Sequence, residues 1–295
     1  MSVRNNFERT QTSAEDESAP VPTEADSPSD LSSETPTQQM TFSVPTEFVE
    51  LPSKGKFYLQ GHPLHGVDTL EIKFMTAKEE DILTSKTLLK KNLTIDRLLR
   101  SVIIDRNVDP LDLLVADRNA IIVAARITGY GSQYSTSINC PSCNATNGVN
   151  IDLEKALEEG LEDVEIDEED ATLTENGTYI VETPRTGAKV EIKFLNGHDE
   201  KRYNHVIDQR KKLKLPESVA TSVMASFIVS VNGSSDPHYI GSFIENAPAA
   251  DARYVRRAFT TLTPGKDMSF NFCCSECDHE ARMEVPLNAE FFWPK

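Results

Sequence analysis

The sequence lacks the long apolar segments that a membrane protein needs. Its 295 residues contain no run of about 18 apolar residues, and no apolar signal segment stands at the start of the sequence. These absences predict a soluble chain that is made in a reducing compartment and has no membrane-spanning segment. Cysteine pairs in such a compartment favour a metal site over a disulfide.

Catalytic signatures are missing as well. The six histidines are scattered, and none belongs to a His-Glu-x-x-His motif. The sequence has no nucleotide-binding glycine fingerprint, no phosphate-binding loop and no Gly-x-Ser-x-Gly elbow. A zinc hydrolase would need three protein ligands, an open coordination position and a general base. We therefore expect a protein that is not an enzyme and has no small-molecule substrate.

An excess of basic charge is also absent. The net charge of −17 arises in two segments: residues 1–47 hold nine acids and two bases, and residues 152–170 hold eleven acids and one base. The remaining residues carry 27 acids and 27 bases, so they form no phosphate-binding field, which argues against a nucleic-acid ligand. The acidic run at 152–170 lacks the glycine and ligand spacing of an EF-hand, which argues against calcium.

The sequence does contain two Cys-x-x-Cys pairs, formed by Cys140 with Cys143 and by Cys274 with Cys277. Each pair follows a segment that is typical of a strand, and each precedes a second alternating segment; the four segments are 135–139, 149–153, 268–272 and 281–285. Strand, knuckle and strand, twice over, is the arrangement of a zinc ribbon. Four thiolates at this spacing can surround one Zn²⁺ tetrahedrally and leave no position open, so we predict a structural zinc site.

The two pairs are unusually far apart for a ribbon, with 130 residues between Cys143 and Cys274. Each doubling of a flexible loop costs only about 0.6 kcal/mol, so three doublings beyond a short spacer cost roughly 2 kcal/mol. A structural zinc contributes on the order of 10–16 kcal/mol in peptides. The long insertion is therefore compatible with a shared site.

Alternatives to this ligand set come from the same region of the sequence. A thiol redox site normally lies at a helix N-terminus, where the helix dipole lowers a thiol pKa, whereas both pairs here are expected between strands. Cys273 is interpreted as a spare buried thiol, although it is an alternative ligand next to Cys274. His279 could also compete for the metal, but Cys274 matches the first pair better.

The whole chain is predicted to be α+β. A Ser/Pro/Glu-rich tail, 1–46, is expected to be disordered because it cannot bury enough apolar surface. A region of strand and helices, 47–132, is followed by a zinc-ribbon region, 133–295. This last region is expected to hold knuckles at 138–153 and 267–286 with an acidic and α/β insertion at 154–266.

Several elements carry local signals. The capping box at 76–79 predicts a helix to about residue 91, and Thr94 can cap a second helix. Asp109-Pro110 predicts the start of a third helix, and Asn176-Gly177 predicts a hairpin turn. Further patterns predict a strand at 189–195 and helices at 197–214, 217–231, 240–246 and 249–262.

A family resemblance is carried by four stretches and by the C-terminal residues. The stretches are Leu-Pro-Ser-Lys-Gly-Lys-Phe-Tyr at 51–58, Met-Thr-Ala-Lys-Glu-Glu-Asp-Ile-Leu at 75–83, Asp-Arg-Asn-Ala at 117–120 with Ala-Arg-Ile-Thr-Gly-Tyr-Gly at 125–131, and the knuckle at 140–143; Val-Pro-Leu at 285–287 and Phe-Phe-Trp-Pro at 291–294 also fit. Together and in this order, they make residues 47–295 resemble the baseplate hub subunit family of T-even-type contractile-tailed bacteriophages.

The resemblance implies a non-enzymatic phage tail protein whose partners are other baseplate hub and tail proteins. Such a protein is expected in the host cytoplasm during assembly, and it acts either as a virion component of the tail baseplate or as an assembly factor. The metal quartet Cys140, Cys143, Cys274 and Cys277 is the residue-level expectation that the resemblance carries over. A zinc-ribbon regulator that binds nucleic acid and a thiol oxidoreductase are the alternative functions.

Overall fold

Short segments with helical apolar spacing and short segments with alternating apolar residues produce an α+β fold of small antiparallel sheets and short helices. The structure, a computed structural model, describes residues 43–90, 93–160, 171–213, 219–265, 268–285, 287 and 289–292. The chain divides into the units Met1–Phe42 and Ser43–Lys295, and all described residues belong to the second. Of the tail predicted to be disordered, 1–46, residues 1–42 lie outside the described residues, as do most of the acidic run and Trp293. The boundaries predicted at 132 and 154–266 stay predictions.

The described residues form ten strands and nine α-helices. The strands are β1 (Thr46–Glu50), β2 (Thr69–Lys73), β3 (Gln133–Asn139), β4 (Thr146–Asp152), β5 (Ala171–Leu173), β6 (Tyr179–Glu182), β7 (Lys189–Ile192), β8 (Ile228–Val231), β9 (Ser269–Cys273) and β10 (Glu280–Glu284). The helices are α1 (Ala77–Thr84), α2 (Lys86–Lys90), α3 (Thr94–Val102), α4 (Val115–Tyr130), α5 (Leu153–Gly160), α6 (Gly197–Lys212), α7 (Val219–Phe227), α8 (Pro237–Asn246) and α9 (Ala249–Leu262). A 3-10 turn follows at Ala289–Phe292.

Every sheet is antiparallel. Three are two-stranded, pairing β1 with β2, β3 with β4, and β9 with β10. The fourth has the order β5-β6-β7-β8. Within the described residues, no helix is long and apolar enough to cross a membrane.

Helix α4 runs through the main core. Its central residues, 120–125, are all buried, which is the pattern of a helix surrounded by protein on every side. Phe291 and Phe292 are fully buried in the same core. The apolar series in α4 is therefore packing surface, as predicted.

The buried carboxylate of Asp117, near the start of α4, binds the loop that follows β1. It accepts hydrogen bonds from the Ser53 backbone N–H at 2.9 Å and from the Ser53 hydroxyl at 2.6 Å. The Tyr58 hydroxyl donates a third at 2.6 Å. Gly55 in this loop has φ +68°, and a Cβ there would lie 2.3 Å from the backbone nitrogen of Val67, so only glycine fits. Two of the stretches that carry the resemblance thus meet in the core.

Arg126 links the 3-10 turn to the end of α4 through hydrogen bonds. Its Nε donates to the carbonyl oxygen of Phe291 at 3.0 Å. Its two terminal nitrogens donate to the carbonyl oxygens of Gly131 at 2.8 Å and Gln133 at 3.4 Å. The guanidinium also lies 5.1 Å from the centre of the Tyr130 ring. This buried cation links α4, β3 and the 3-10 turn.

Several local predictions are confirmed. In the capping box, the Thr76 backbone N–H donates to Glu79 Oε2 at 2.9 Å, and α1 begins at the next residue. The Asn176-Gly177 turn joins β5 to β6 in an antiparallel hairpin, with Gly177 at φ +71°. Helix α9 has the predicted bounds.

Other local predictions are wrong. Asp109-Pro110 begins no helix, because the Asp109 carboxylate caps the Leu111 N–H at 3.0 Å in a turn and pairs with Arg100, and α4 starts only at residue 115. The helix predicted to reach residue 231 ends at Phe227, and the β-branched residues that follow form β8 against β7. The helix predicted for 76–91 is divided at Ser85 into α1 and α2.

Candidate metal centre

The first knuckle is the turn between β3 and β4. Asn139 pairs with Thr146 at the end of the ladder, and Cys140 follows directly. The Cys140 N–H donates to the carbonyl oxygen of Ala145 at 2.8 Å, while its own carbonyl accepts from the Asn144 N–H at 2.9 Å. Asn144 lies in the left-handed region at φ +62°, which asparagine tolerates, and so lets the chain turn back on itself.

The second knuckle repeats this geometry between β9 and β10. The Cys274 N–H donates to the carbonyl oxygen of His279 at 3.0 Å, and the Cys274 carbonyl accepts from the Asp278 N–H at 3.1 Å. Asp278 has φ +53°, matching Asn144 in the first knuckle. The two Cys-x-x-Cys pairs therefore fold into the same turn, as their flanking residues predicted.

The fold brings the four sulfurs of the two knuckles together. They all lie within 4.8 Å of one another. Cys140 Sγ is 3.7 Å from Cys277 Sγ, and Cys143 Sγ is 3.6 Å from Cys274 Sγ. These separations exceed the roughly 2.05 Å of a disulfide bond. They are close to the edge of about 3.8 Å expected for a tetrahedron with Zn–S bonds of about 2.3 Å. The group can therefore hold a metal ion.

Backbone amides point at sulfurs in both knuckles. The Ser142 N–H donates to Cys140 Sγ at 3.4 Å, and the Glu276 N–H donates to Cys274 Sγ at 3.4 Å. Such bonds stabilise thiolates, the form in which cysteine binds metals. Cys140 and Cys274 are also the buried members of the quartet, whereas Cys143 and Cys277 are exposed.

The thiols differ in how readily they ionise. The Glu276 N–H lowers the pKa of the Cys274 thiol to about 6, despite the opposing effect of desolvation. The His279 N–H lowers the pKa of Cys277, but hydrogen bonding with Cys143 and the other cysteines raises it to about 12. In the metal-free chain, the Cys274 thiol is thus easily charged, whereas the Cys277 thiol resists ionisation. A bound cation removes that resistance, because it stabilises several thiolates at once.

Asn147 connects the two knuckles and was missed in the sequence. This buried β4 side chain donates from Nδ2 to Cys274 Sγ at 3.5 Å and to the carbonyl oxygen of Ala145 at 3.0 Å. Its Oδ1 accepts from the Ser275 N–H and from the Ser275 hydroxyl, both at 2.8 Å. An amide four residues after Cys143 was the available signal, but its partner is distant in sequence. Asn147 orients a predicted ligand across the gap between hairpins.

A separate small core supports the site. Phe272, Cys140 and Cys274 are buried together, and partly buried apolar side chains surround them: Ala145, Val149, Phe270 and Met283. The three buried residues lie outside the main core around α4, but Val149 and Phe270 pack against both. Asn147 and the four sulfurs add to the apolar contacts between the two hairpins.

Neither of the alternative ligands belongs to the group of sulfurs. Cys273 is exposed, so its interpretation as a buried thiol is wrong. Alternation along β9 explains this, because Cys274 and Phe272 point inward and the residue between them points outward. His279 contributes its carbonyl oxygen and backbone N–H to the knuckle, and its ring is absent from the group of possible ligands in the described residues.

The fold and the site define an α+β protein whose two hairpins converge on a four-cysteine centre. Residues 44–293 match the family model described as T4 bacteriophage base plate protein, and this match covers most of the chain. The chain belongs to that family of phage baseplate proteins. No curated protein and no solved structure matches it.

Proposed function

We propose that this protein is a non-enzymatic component or assembly factor of the central hub of the phage baseplate. It acts through contacts with other hub and tail proteins, and a structural zinc bound by Cys140, Cys143, Cys274 and Cys277 stabilises it. The observation that carries this proposal is the family match over residues 44–293. Membership of a baseplate family supports contacts with phage tail proteins and a place in the virion tail.

The geometry of the four sulfurs supports a structural role for the metal. Four cysteines satisfy a tetrahedral ion completely, so no coordination position remains for a substrate or an activated water. The site also connects hairpins that are 130 residues apart, from Cys143 to Cys274. Binding energy at such a site becomes folding energy, because the unfolded chain has no preformed site.

Zinc fits the donor set better than the hard cations do. A tetrahedral set of four thiolates is typical of zinc or of iron, whereas magnesium and calcium prefer oxygen ligands. Elemental analysis of freshly purified, reduced protein should find about one zinc per chain. A coloured protein with iron in place of zinc would contradict the choice of metal and leave the baseplate role intact.

The baseplate role is tested by capture from infected cells. An affinity-tagged full chain, expressed during infection, should recover hub or tail proteins that mass spectrometry identifies. Purified virions should then be searched for the chain, because its presence identifies a virion component and its absence identifies an assembly factor. Failure of the wild-type chain to recover any tail protein would refute the role.

A matched pair of variants separates the effect of losing the metal from the effect of losing an exposed thiol. Cys140→Ser removes a predicted ligand, whereas Cys273→Ser removes an exposed thiol outside the quartet. We expect Cys140→Ser to lose zinc and to recover less tail protein, and Cys273→Ser to behave like the wild type. Equal zinc content in the two variants would rule out the proposed ligand set.

A further inference from the structure

Within the part of the chain that the structure describes, strand β1 has an open edge, because it pairs with β2 alone in a two-stranded sheet. At the two ends of this ladder, the Phe74 N–H donates to the Pro45 carbonyl at 2.9 Å and the Leu51 N–H donates to the Asp68 carbonyl at 2.8 Å. Because main-chain groups alternate along an antiparallel ladder, Pro45 and Leu51 place residues 47 and 49 toward β2 as well. The N–H and C=O groups of residues 46, 48 and 50 therefore point away from β2.

The residues with outward main-chain groups are also solvent-exposed. Thr46, Phe48 and Glu50 are exposed, whereas Val49 on the opposite face is buried. Phe48, at the centre of the strand, is 65% exposed, the second-highest value among the exposed large apolar residues described. A large aromatic side chain on a strand with one unpaired edge is the combination that favours addition of another strand.

Lysine, proline and a bulge, three of the features that usually protect an edge, are absent from residues 46–50, although the strand is short and carries two glutamates. Natural edge strands carry lysine, proline or a bulge, which prevent pairing with another chain. The sequence Thr-Glu-Phe-Val-Glu has neither lysine nor proline, and its five-residue register with β2 contains no bulge. Its only charges are Glu47 and Glu50, so any strand that pairs with this edge must avoid placing acids opposite them.

A second copy of β1 meets that requirement. In an antiparallel pair centred on Phe48, Phe48 faces its own copy, Thr46 faces Glu50, and Glu47 faces Val49. No acid lies opposite an acid, and the outward main-chain groups of residues 46, 48 and 50 fall opposite one another, as hydrogen-bonded pairs require. The central aromatic pair is a favourable cross-strand contact. The strand is thus complementary to itself under two-fold symmetry.

We propose that two copies of this protein dimerise by pairing β1 with β1 antiparallel around Phe48. The two sheets then join into one four-stranded sheet with the order β2-β1-β1-β2. Two-stranded sheets are only marginally stable on their own, so the pairing completes a stronger unit. This inference stands apart from the baseplate proposal and would hold for a protein with another role.

The interface predicted in this way is small. A stable interface buries about 1,200–2,000 Å² in total, and one pair of five-residue strands supplies less than that. We therefore expect a reversible dimer whose population rises with protein concentration. A high local concentration, as in an ordered assembly, favours it.

Sedimentation of the full chain over a range of concentrations tests the proposal. The wild type should show a concentration-dependent dimer. Phe48→Lys replaces the central aromatic pair with two like charges, so it should raise the dissociation constant at least about tenfold. Leu173→Lys is the matched control, since Leu173 is an exposed residue, 46% accessible, on β5 at the edge of the largest sheet. Thermal unfolding should be alike for both variants, because neither side chain is buried.

Two substitutions at Thr46 test the register itself. Thr46→Lys places a lysine opposite Glu50 of the second copy twice per dimer and should tighten association severalfold, whereas Thr46→Glu places like charges there and should weaken it. A wild-type chain that stays monomeric at every concentration would overturn the proposal. So would a monomeric wild type whose capture of a tail protein depends on Phe48, because another protein would then occupy the edge. Equal effects of Phe48→Lys and Leu173→Lys would overturn it too.

Discussion

The Tyr58 hydroxyl donates a hydrogen bond to Oδ2 of Asp117 at 2.6 Å, across 59 residues of sequence. Burial raises the pKa of both groups, and the nearby Asp117 carboxylate raises that of Tyr58 further. The same hydroxyl accepts from the Leu114 N–H at 3.1 Å. The loop after β1 and the start of α4 are therefore held together by one buried polar network. The network therefore gives a structural role to the stretches 51–58 and 117–120, which contain no catalytic signature.

Removing this hydroxyl should destabilise the fold. Tyr58→Phe leaves the Leu114 N–H without its acceptor and removes one donor from Asp117. A buried polar group left unpaired costs about 1–3 kcal/mol, so the free energy of unfolding in urea should fall by that amount. Tyr239→Phe, at an exposed hydroxyl, is the control and should change it by less than about 0.5 kcal/mol. Equal losses for the two variants would mean that the buried network adds nothing.

Stability should fall in acid because of Glu79. Desolvation opposes its charge, but hydrogen bonds from Lys73, Ser101 and Thr76 outweigh that effect and lower its pKa to about 2, from an ordinary 4.5. The contribution is therefore complete above pH 4.5 and is lost as the pH falls toward 2. Urea titrations between pH 2 and 5 should show a shallower pH dependence for Glu79→Gln than for the wild type. Identical slopes would contradict the lowered pKa.

Asp117 should act with the opposite sign. Burial raises its pKa in the folded chain, so the folded state binds a proton more tightly than the unfolded state does. Its contribution is complete below the ordinary pKa of 3.8 and is lost as the pH rises through the folded pKa. Compared with the wild type, Asp117→Asn should lose less stability as the pH rises above 4, measured by the same titration. A larger loss in the variant would reverse the expected sign.

The bridge made by Asn147 should matter for metal affinity. Asn147→Ala removes the donor to Cys274 Sγ and the acceptor for Ser275, so the second knuckle loses its orientation toward the first. Loss of such a supporting contact typically weakens metal binding about 10–100-fold, which competition with a chromophoric chelator can measure. Asn150→Ala, on the same strand at an exposed position, should leave the affinity unchanged. A similar affinity in all three proteins would exclude this role for Asn147.

Removing the metal should unfold the two hairpins before the rest of the chain. The buried cysteines and Phe272 form the small core, whereas the buried residues of α4 belong to the main core, so loss of the ion should leave the helices packed. Hydrogen exchange after chelation should show faster exchange in β3, β4, β9 and β10 and little change in α4. A uniform increase over every element would show instead that the centre supports the whole fold.

The parts of the structure that depend on neighbouring residues could be predicted. Asn144 and Asp278 signalled both knuckle turns because they follow the cysteines directly and tolerate the left-handed region. The Thr76 capping box and the Asn176-Gly177 hairpin are local in the same way.

The parts that depend on distant residues could not be predicted. The sequence pattern predicts a helix over the residues of β8, because only the pairing with β7 decides their conformation. Asp109 carries a helix-start signal, but in the structure it lies in a turn and pairs with Arg100. The position of Asn147 four residues after Cys143 does not by itself indicate its role, since its partner Ser275 lies 128 residues away.

The distance between the two knuckles also sets an order of events during synthesis. At about 5–20 residues per second, a ribosome needs roughly 7–26 s to travel from Cys143 to Cys274. During that interval, the first knuckle can present only two of the four sulfurs, while α6, α7, α8 and α9 are still being made. The centre therefore closes after most of the polypeptide exists. We therefore expect metal uptake to be a late step that only a chain translated through the second knuckle can complete.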